Sequence, residues 1–378
     1  MLSRTASALY WMSRYLERGE AVARLLDVNL ALSLDLGGGE VEAWEAVVAT
    51  TGDLEPFLKG HATVSRADAL AFLAFDTDNP NSVASCVHFA RENARGVREH
   101  LPNEFWEAIN ALYLQLRRSA GSKDSLDSLE PALDAVRQAG RQLDGLLSTA
   151  VIRDEGWHFS QLGQTMERGD QTSRLVDVQH ALLEGRHGEA GHELRWEAVL
   201  KSASALTMYR RRHGGTDGQK VAQFLLLDGG FPRSVAFCLR AAEEALRAIN
   251  GTPAGQFSNA AEKALGRLAA DLRYTEIDDV LGEGIHAWLD RFQLRLNAVG
   301  ESVRLEYFEP PAAPEAEAEA EPYEHPQVTQ QQQERHRDLQ ALQRRQREQH
   351  AQQRQQQELQ GVQEQELKSK RQAGSRKP

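Results

Sequence analysis

The sequence predicts an all-α fold: an internally duplicated helical bundle with pseudo-twofold halves over residues 1–308, followed by a disordered tail over residues 309–378. Three observations lead there. Apolar residues recur at three- and four-residue steps along most of the chain before residue 309, the spacing of one helix face. No alternating β-branched run flanked by hairpin-turn residues interrupts that pattern. Two blocks of sequence also return in the same order, 150 and 152 residues further on.

Leu9, Met12, Leu16, Leu25 and Leu26 set the first helix, and no proline interrupts the first 55 residues. Gly37-Gly38-Gly39 ends it, and Thr51-Gly52-Asp53 ends the second. Further helical patterns run over Val83–Val97, Phe105–Leu116, Leu126–Leu147, Gln164–Leu183, Trp196–Met208, Val235–Ile249 and Ile285–Val299, with Gly214-Gly215 closing another helix. Val303–Phe308 reads equally as an extended stretch or as a helix end. From Glu309 the composition turns to Pro, Ala and Glu, then to Gln, Arg and Glu. Leu339, Leu342, Leu359, Val362 and Leu367 are too sparse there to build a heptad seam, so disorder is expected.

The duplication gives halves of about residues 1–150 and 151–308. Tyr15-Leu16-Glu17-Arg18-Gly19-Glu20 returns as Thr165-Met166-Glu167-Arg168-Gly169-Asp170, and Arg24-Leu25 and Asp27-Val28 return as Arg174-Leu175 and Asp177-Val178. At the second offset, Phe72-Leu73 and Asp76 match Phe224-Leu225 and Asp228, and Pro80 to Cys86 matches Pro232 to Cys238. Pro80 and Pro232 are expected where helices begin, with Ser82 and Ser234 in the first turn and Asn79 able to cap the first helix. Cys86 and Cys238 read as small packing residues, since no cation or base stands at a spacing that would activate a thiol.

The net charge is −11, and the tail from Pro310 carries 11 Lys/Arg against 11 Asp/Glu, so the excess negative charge lies in the body. An acidic body argues against nucleic acid as the main partner. Two cysteines suit a reducing compartment, and no apolar run approaches the roughly 20 residues of a membrane span. The start lacks the pattern of a signal peptide, so a cytoplasmic protein without a membrane partner is expected. Motifs for zinc, phosphate loops and nucleophile elbows are missing, and neither a cofactor nor a metal is expected. Glu-x-x-His spacings occur at Glu155 and His158, Glu184 and His187, Glu189 and His192, and Glu283 and His286. Each encloses a glycine, which suits loops and helix ends rather than mid-helix ligands.

The Glu-Arg pairs admit three readings. Glu17, Glu20 and Arg24 share one helical stripe, and Glu167, Asp170 and Arg174 repeat it. They are surface ion pairs worth a few tenths of a kcal/mol, or charges buried between the halves to fix register, or a polar site for a partner loop or charged ligand.

These motifs resemble the alpha-E family of helical bacterial proteins, named for a Glu-Arg motif. The resemblance is carried by Ala8 to Arg18, Asp78 to Cys86, Ala90 to Arg95, Arg153 to Phe159, Met166-Glu167-Arg168, and Phe224 to Val235, and it covers residues 1–308. Where the family has Ala after Glu-Arg, this chain has Gly19 and Gly169, which should loosen each helix by about 1 kcal/mol. The resemblance implies a setting beside circularly permuted ATP-grasp ligases and transglutaminase-like proteases. That setting implies a role in making or modifying a peptide or amide bond. With no nucleotide loop, metal-ligand set or nucleophile–base pair in the sequence, the expectation is a noncatalytic accessory that binds the ligase or presents its substrate. The expected binding residues are Glu17, Arg18, Glu20, Arg24, Glu167, Arg168 and Arg174, with Asp76, Arg91, Glu92 and Asp228 as second contacts. An enzyme using the same carboxylates in a helical cleft and a self-associating scaffold remain as alternatives, and the oligomeric state stays open.

Overall fold

The computed structural model describes residues 1–36, 40–120, 128–183 and 191–309. The expected break at Gly37-Gly38-Gly39, the start of the Leu126–Leu147 pattern, Glu184, His187 and Glu189, and the tail beyond Glu309 lie outside these residues. Among them the structure is all-helical. The helices are α1 (Ser3–Leu36), α2 (Glu40–Thr51), α3 (Leu54–Gly60), α4 (Arg66–Ala74), α5 (Val83–Gly96), α6 (Asn103–Ala120), α7 (Leu129–Thr149) and α8 (Glu155–Leu183). They continue as α9 (His192–Ser202), α10 (Leu206–His213), α11 (Gly218–Leu227), α12 (Val235–Asn250), α13 (Ala260–Arg273), α14 (Ile277–Glu283) and α15 (Ile285–Val303).

The two longest helices, α1 and α8, lie against each other and form the centre. Four successive residues of α1, Leu9-Tyr10-Trp11-Met12, are all buried, so neighbours cover every face of this helix at once. Leu175-Val176-Asp177-Val178 shows the same in α8. Helices α5 and α7 pack on α1, with α6 outside them; α12 and α15 pack on α8, with α13 outside. The outer helices are one-sided. In α6, Phe105, Ile109, Leu112 and Leu116 are buried at three- and four-residue steps. Helix α2 crosses to touch α8, and α9 touches α1, so the elements are interleaved.

Glycine sets the closest approach. A Cβ at Gly163 of α8 would stand 2.2 Å from the Tyr10 carbonyl oxygen, so the α1 backbone passes where any side chain would be. At Gly19 and Gly169 the same atom would lie 3.2 Å from the Cys86 Cβ and 3.3 Å from the Cys238 Cβ. These glycines let α1 seat on α5 and α8 seat on α12, which offsets the helix propensity they forgo.

Several local expectations need correction. Pro80 and Pro232 do not begin helices. Ser82 and Ser234 are themselves the N-caps, each accepting 3.1 Å hydrogen bonds from the amides of Ser85 and Phe237. Asn79 instead accepts from the Asn81 amide ahead of the helix. The Trp196–Met208 pattern is two helices, since Ser204 adopts φ 52° between α9 and α10. The apolar spacing continues across the break because both helices face the same core. Thr51 does end α2, with Gly52 at φ 80°, and Gly214 at φ 74° does end α10. Arg304–Phe308 extends α15 as a π turn. No described helix is long and apolar enough to cross a membrane.

Candidate functional site

The Glu-Arg motifs of α1 and α8 meet face to face in the interior. Glu167 is fully buried and receives two arginines from α1. Arg18 grips it in a bidentate fork, Nε to Oε1 at 2.7 Å and Nη2 to Oε2 at 2.9 Å. Arg14 adds Nε to Oε2 at 2.8 Å. Glu17 is likewise held by two arginines, each through a single bond: Arg168 of α8 donates at 2.7 Å, and Arg233, just ahead of α12, donates at 2.6 Å. Each motif glutamate thus binds the motif arginine of the other helix and one further arginine.

The pairing extends outward. Arg24 donates to Glu20 at 2.7 Å and to the Ser202 carbonyl at 2.7 Å, which ties α1 to the end of α9. Arg233 also reaches Glu20 at 3.4 Å. Arg18 donates to Asn81 at 2.8 Å, and Asn81 donates to Asp53 at 2.7 Å. Asp170 and Arg174 form the four-residue pair that their spacing predicts, buried at 3.0 Å. A cavity of about 30 Å3 adjoins Glu17, Arg168 and Arg233, room for a water molecule but not for a substrate.

Burial by itself would raise the Glu17 carboxyl, but Arg168 and Arg233 overcome it and hold the group at about 2. Burial lowers Arg24 to about 10, and the Arg233 charge adds to that. Burial lifts the Cys238 thiol to about 12, so it stays protonated. These groups are locked in one protonation state near neutral pH.

The profile of the Alpha-E family, described as a predicted alpha-helical domain with a conserved ER motif, matches residues 1–308. The chain belongs to the Alpha-E family. An uncharacterized protein of Mycobacterium bovis is 28% identical over 309 residues, covering 76% of this chain and 34% of its own length. Uncharacterized proteins of two Mycobacterium tuberculosis strains match to the same extent. The chain thus spans about a third of the length of these curated relatives. No solved structure matches it.

The Alpha-E network gathers Glu17, Arg18, Glu20, Arg24, Glu167 and Arg168 in one place. It does not gather the expected second contacts. Arg91 pairs with Glu92 at 2.5 Å, bonds Asn110 and lies over the Trp106 and Tyr113 rings, on the α5–α6 face. Asp76 lines a separate surface cleft, and Asp228 pairs with Arg212. Sequence reading missed Arg14, Asn81 and Arg233. Arg14 precedes Arg18 by one turn, which was a usable signal; Asn81 and Arg233 arrive by tertiary packing alone.

A second polar cluster joins α8 to α15. His286 Nδ1 lies 2.8 Å from Asp177, which is buried, and its Nε2 lies 3.1 Å from Asp290. Among the described residues this is the grouping whose ligand atoms come close enough for a metal, all within 4.8 Å. Both ring nitrogens already face carboxylates on opposite sides, so the imidazolium itself supplies the cation. Glu283, the partner its spacing suggested, pairs with Arg291 instead. Burial works against the His286 charge, but hydrogen bonds to Asp177 and Asp290 outweigh it and raise the group from 6.5 to about 9. A pKa raised on folding contributes stability that is complete below about pH 6.5 and is lost as pH rises to about 9. Thermal unfolding across that window should show a falling midpoint, and His286→Gln should remove this component of the slope. An unchanged slope in the variant would contradict the assignment.

Proposed function

We propose that this Alpha-E protein is a noncatalytic helical accessory protein of the cytoplasm. It acts with an ATP-grasp ligase, and with a transglutaminase-like protease, in synthesis or modification of a peptide or amide bond. One observation carries the noncatalytic part: both motif glutamates are buried and each is neutralised by two arginines. A general acid or base needs a proton that moves near neutral pH and a cleft to act in. Glu17, held at about 2, has neither.

The same reading makes the two halves copies of one unit. Glu17–Arg168 and Arg18–Glu167 are reciprocal across the α1–α8 contact, as exchange of copies about a twofold axis requires. The serine caps of α5 and α12, the Gly19–Cys86 and Gly169–Cys238 approaches, and the positive φ at Gly52 and Ser204 all recur in pairs. The network then serves to fix how the copies seat, and partner contacts fall to the surface groups. A tagged full-length chain recovered from its native host should bring an ATP-grasp ligase in near-stoichiometric amount. Repeated recovery without any ligase, with cross-linking before lysis, would overturn the accessory reading.

A further inference from the structure

The surface at Asp76 differs in one telling way from the surface at Asp228. Beside Asp76 the chain forms a cleft of about 470 Å3. Phe72 gives it an apolar wall, with Phe57 buried beneath, and three carboxylates, Asp53, Asp76 and Asp78, line it against one lysine, Lys59. Lys59 is directed to Glu55 at 3.5 Å. Among the described residues no cation stands within ion-pair distance of Asp76, whose Oδ1 accepts a 2.9 Å hydrogen bond from the Asp78 amide.

The other half builds the same frame 152 residues on. Phe57 stacks on His61 at 4.3 Å and meets the edge of Phe72 at 5.1 Å. Tyr209 stacks on His213 at 4.9 Å and meets the edge of Phe224 at 5.6 Å. Asp228 Oδ1 accepts a 2.8 Å hydrogen bond from the Gly230 amide, just as Asp76 accepts from Asp78. That frame, however, is filled by the chain itself. Phe231 stacks on Phe224 with centroids 4.8 Å apart, and the Arg212 guanidinium pairs with Asp228. The corresponding positions in the first half are Asn79 and Gly60, which offer neither a ring nor a cation.

We propose that the cleft beside Asp76 binds a ligand that carries a guanidinium or ammonium group next to an aromatic ring, the two groups that Arg212 and Phe231 provide in the other half. This rests on the halves being copies. The cation forms charge-assisted hydrogen bonds to Asp76, and the ring lies on Phe72. The excess of carboxylate over lysine favours cations and repels phosphate or carboxylate ligands. A free arylalkyl amine or guanidine and an Arg-Phe segment of a peptide present the same chemistry.

The test is calorimetric titration of the full chain with phenethylguanidinium and, in parallel, with acetyl-Arg-Phe-amide. Saturable one-site binding of either is expected, and the tighter of the two identifies a free molecule or a peptide as the source. Methylguanidinium, which lacks the ring, and phenethyl alcohol, which lacks the charge, should each bind at least about tenfold more weakly. Asp76→Asn should weaken binding by a similar factor. Gly60→Arg has open space around its Cβ, so it should fold normally, place its own guanidinium on Asp76 and abolish binding. Absence of binding to the wild-type chain, or binding indifferent to both Asp76→Asn and Gly60→Arg, overturns the proposal. Opening the other frame with Arg212→Gly and Phe231→Asn should add a second site. If the first cleft binds and the opened frame, still folded by circular dichroism, does not, the copy reading fails while the Asp76 site stands.

Discussion

Glu167→Gln is expected to destabilise the protein by about 3–5 kcal/mol, because the change leaves Arg14 and Arg18 buried with no counter-charge between them. The amide keeps the shape and one acceptor, so the loss is electrostatic rather than a packing defect. Arg18 cannot relieve itself by deprotonating, since it is a guanidinium. Nor can it swing to water, being held between Glu167 and Asn81 in the interior. Chemical denaturation measures the effect as a lowered midpoint at unchanged slope. Glu92→Gln is the natural control: Glu92 pairs with Arg91 and with the exposed Arg95, and its loss should cost about 1 kcal/mol or less. Equal effects of the two substitutions would mean that the network behaves like a surface.

Gly163→Ala should cost about 3 kcal/mol, although alanine is the better helix former. Its Cβ would fall 2.2 Å from a backbone oxygen of α1, which cannot rotate away as a side chain would. The two central helices must separate, and the reciprocal ion pairs, one turn on along α8 and two along α1, would lengthen with them. Gly169→Ala in the same helix offers the contrast, since its Cβ meets the Cys238 Cβ at 3.3 Å and small shifts can absorb it. A thermal midpoint for Gly163→Ala at or above that of the parent would show that α1 and α8 are packed less tightly than this geometry requires.

Helices α6 and α12 were legible because a helix with one buried face writes its period into the sequence; α13 buries Ala261, Leu265, Leu268 and Leu272 in the same way and was nevertheless passed over. The short helices α3, α4 and α14 left too few turns to establish one. The break at Ser204 was hidden because the backbone turns without a glycine or proline to mark it. The Glu-Arg motifs stood out by repetition, and their four-residue pairs followed from spacing. Their burial did not: α1 and α8 are covered on all sides, so charged residues among apolar ones carry no sign of which face is wet. Arg233 shows the limit most plainly. It lies 216 residues from Glu17 in the chain, and only the packing of α12 on α8 brings the two together.

A buried network of this kind adds little net stability, since desolvation consumes much of the Coulombic gain, but it penalises every arrangement that leaves one charge unmatched. That is the property expected of a device that seats α1 on α8 in a single way. A double-mutant cycle joining Glu167→Gln and Arg18→Met, read by chemical denaturation, tests it most directly. A coupling of about 2 kcal/mol or more is expected, with the double variant more stable than the sum of the single losses allows. Losses that add to within about 0.5 kcal/mol would contradict it, and would return the Glu-Arg motifs to the standing of independent charges.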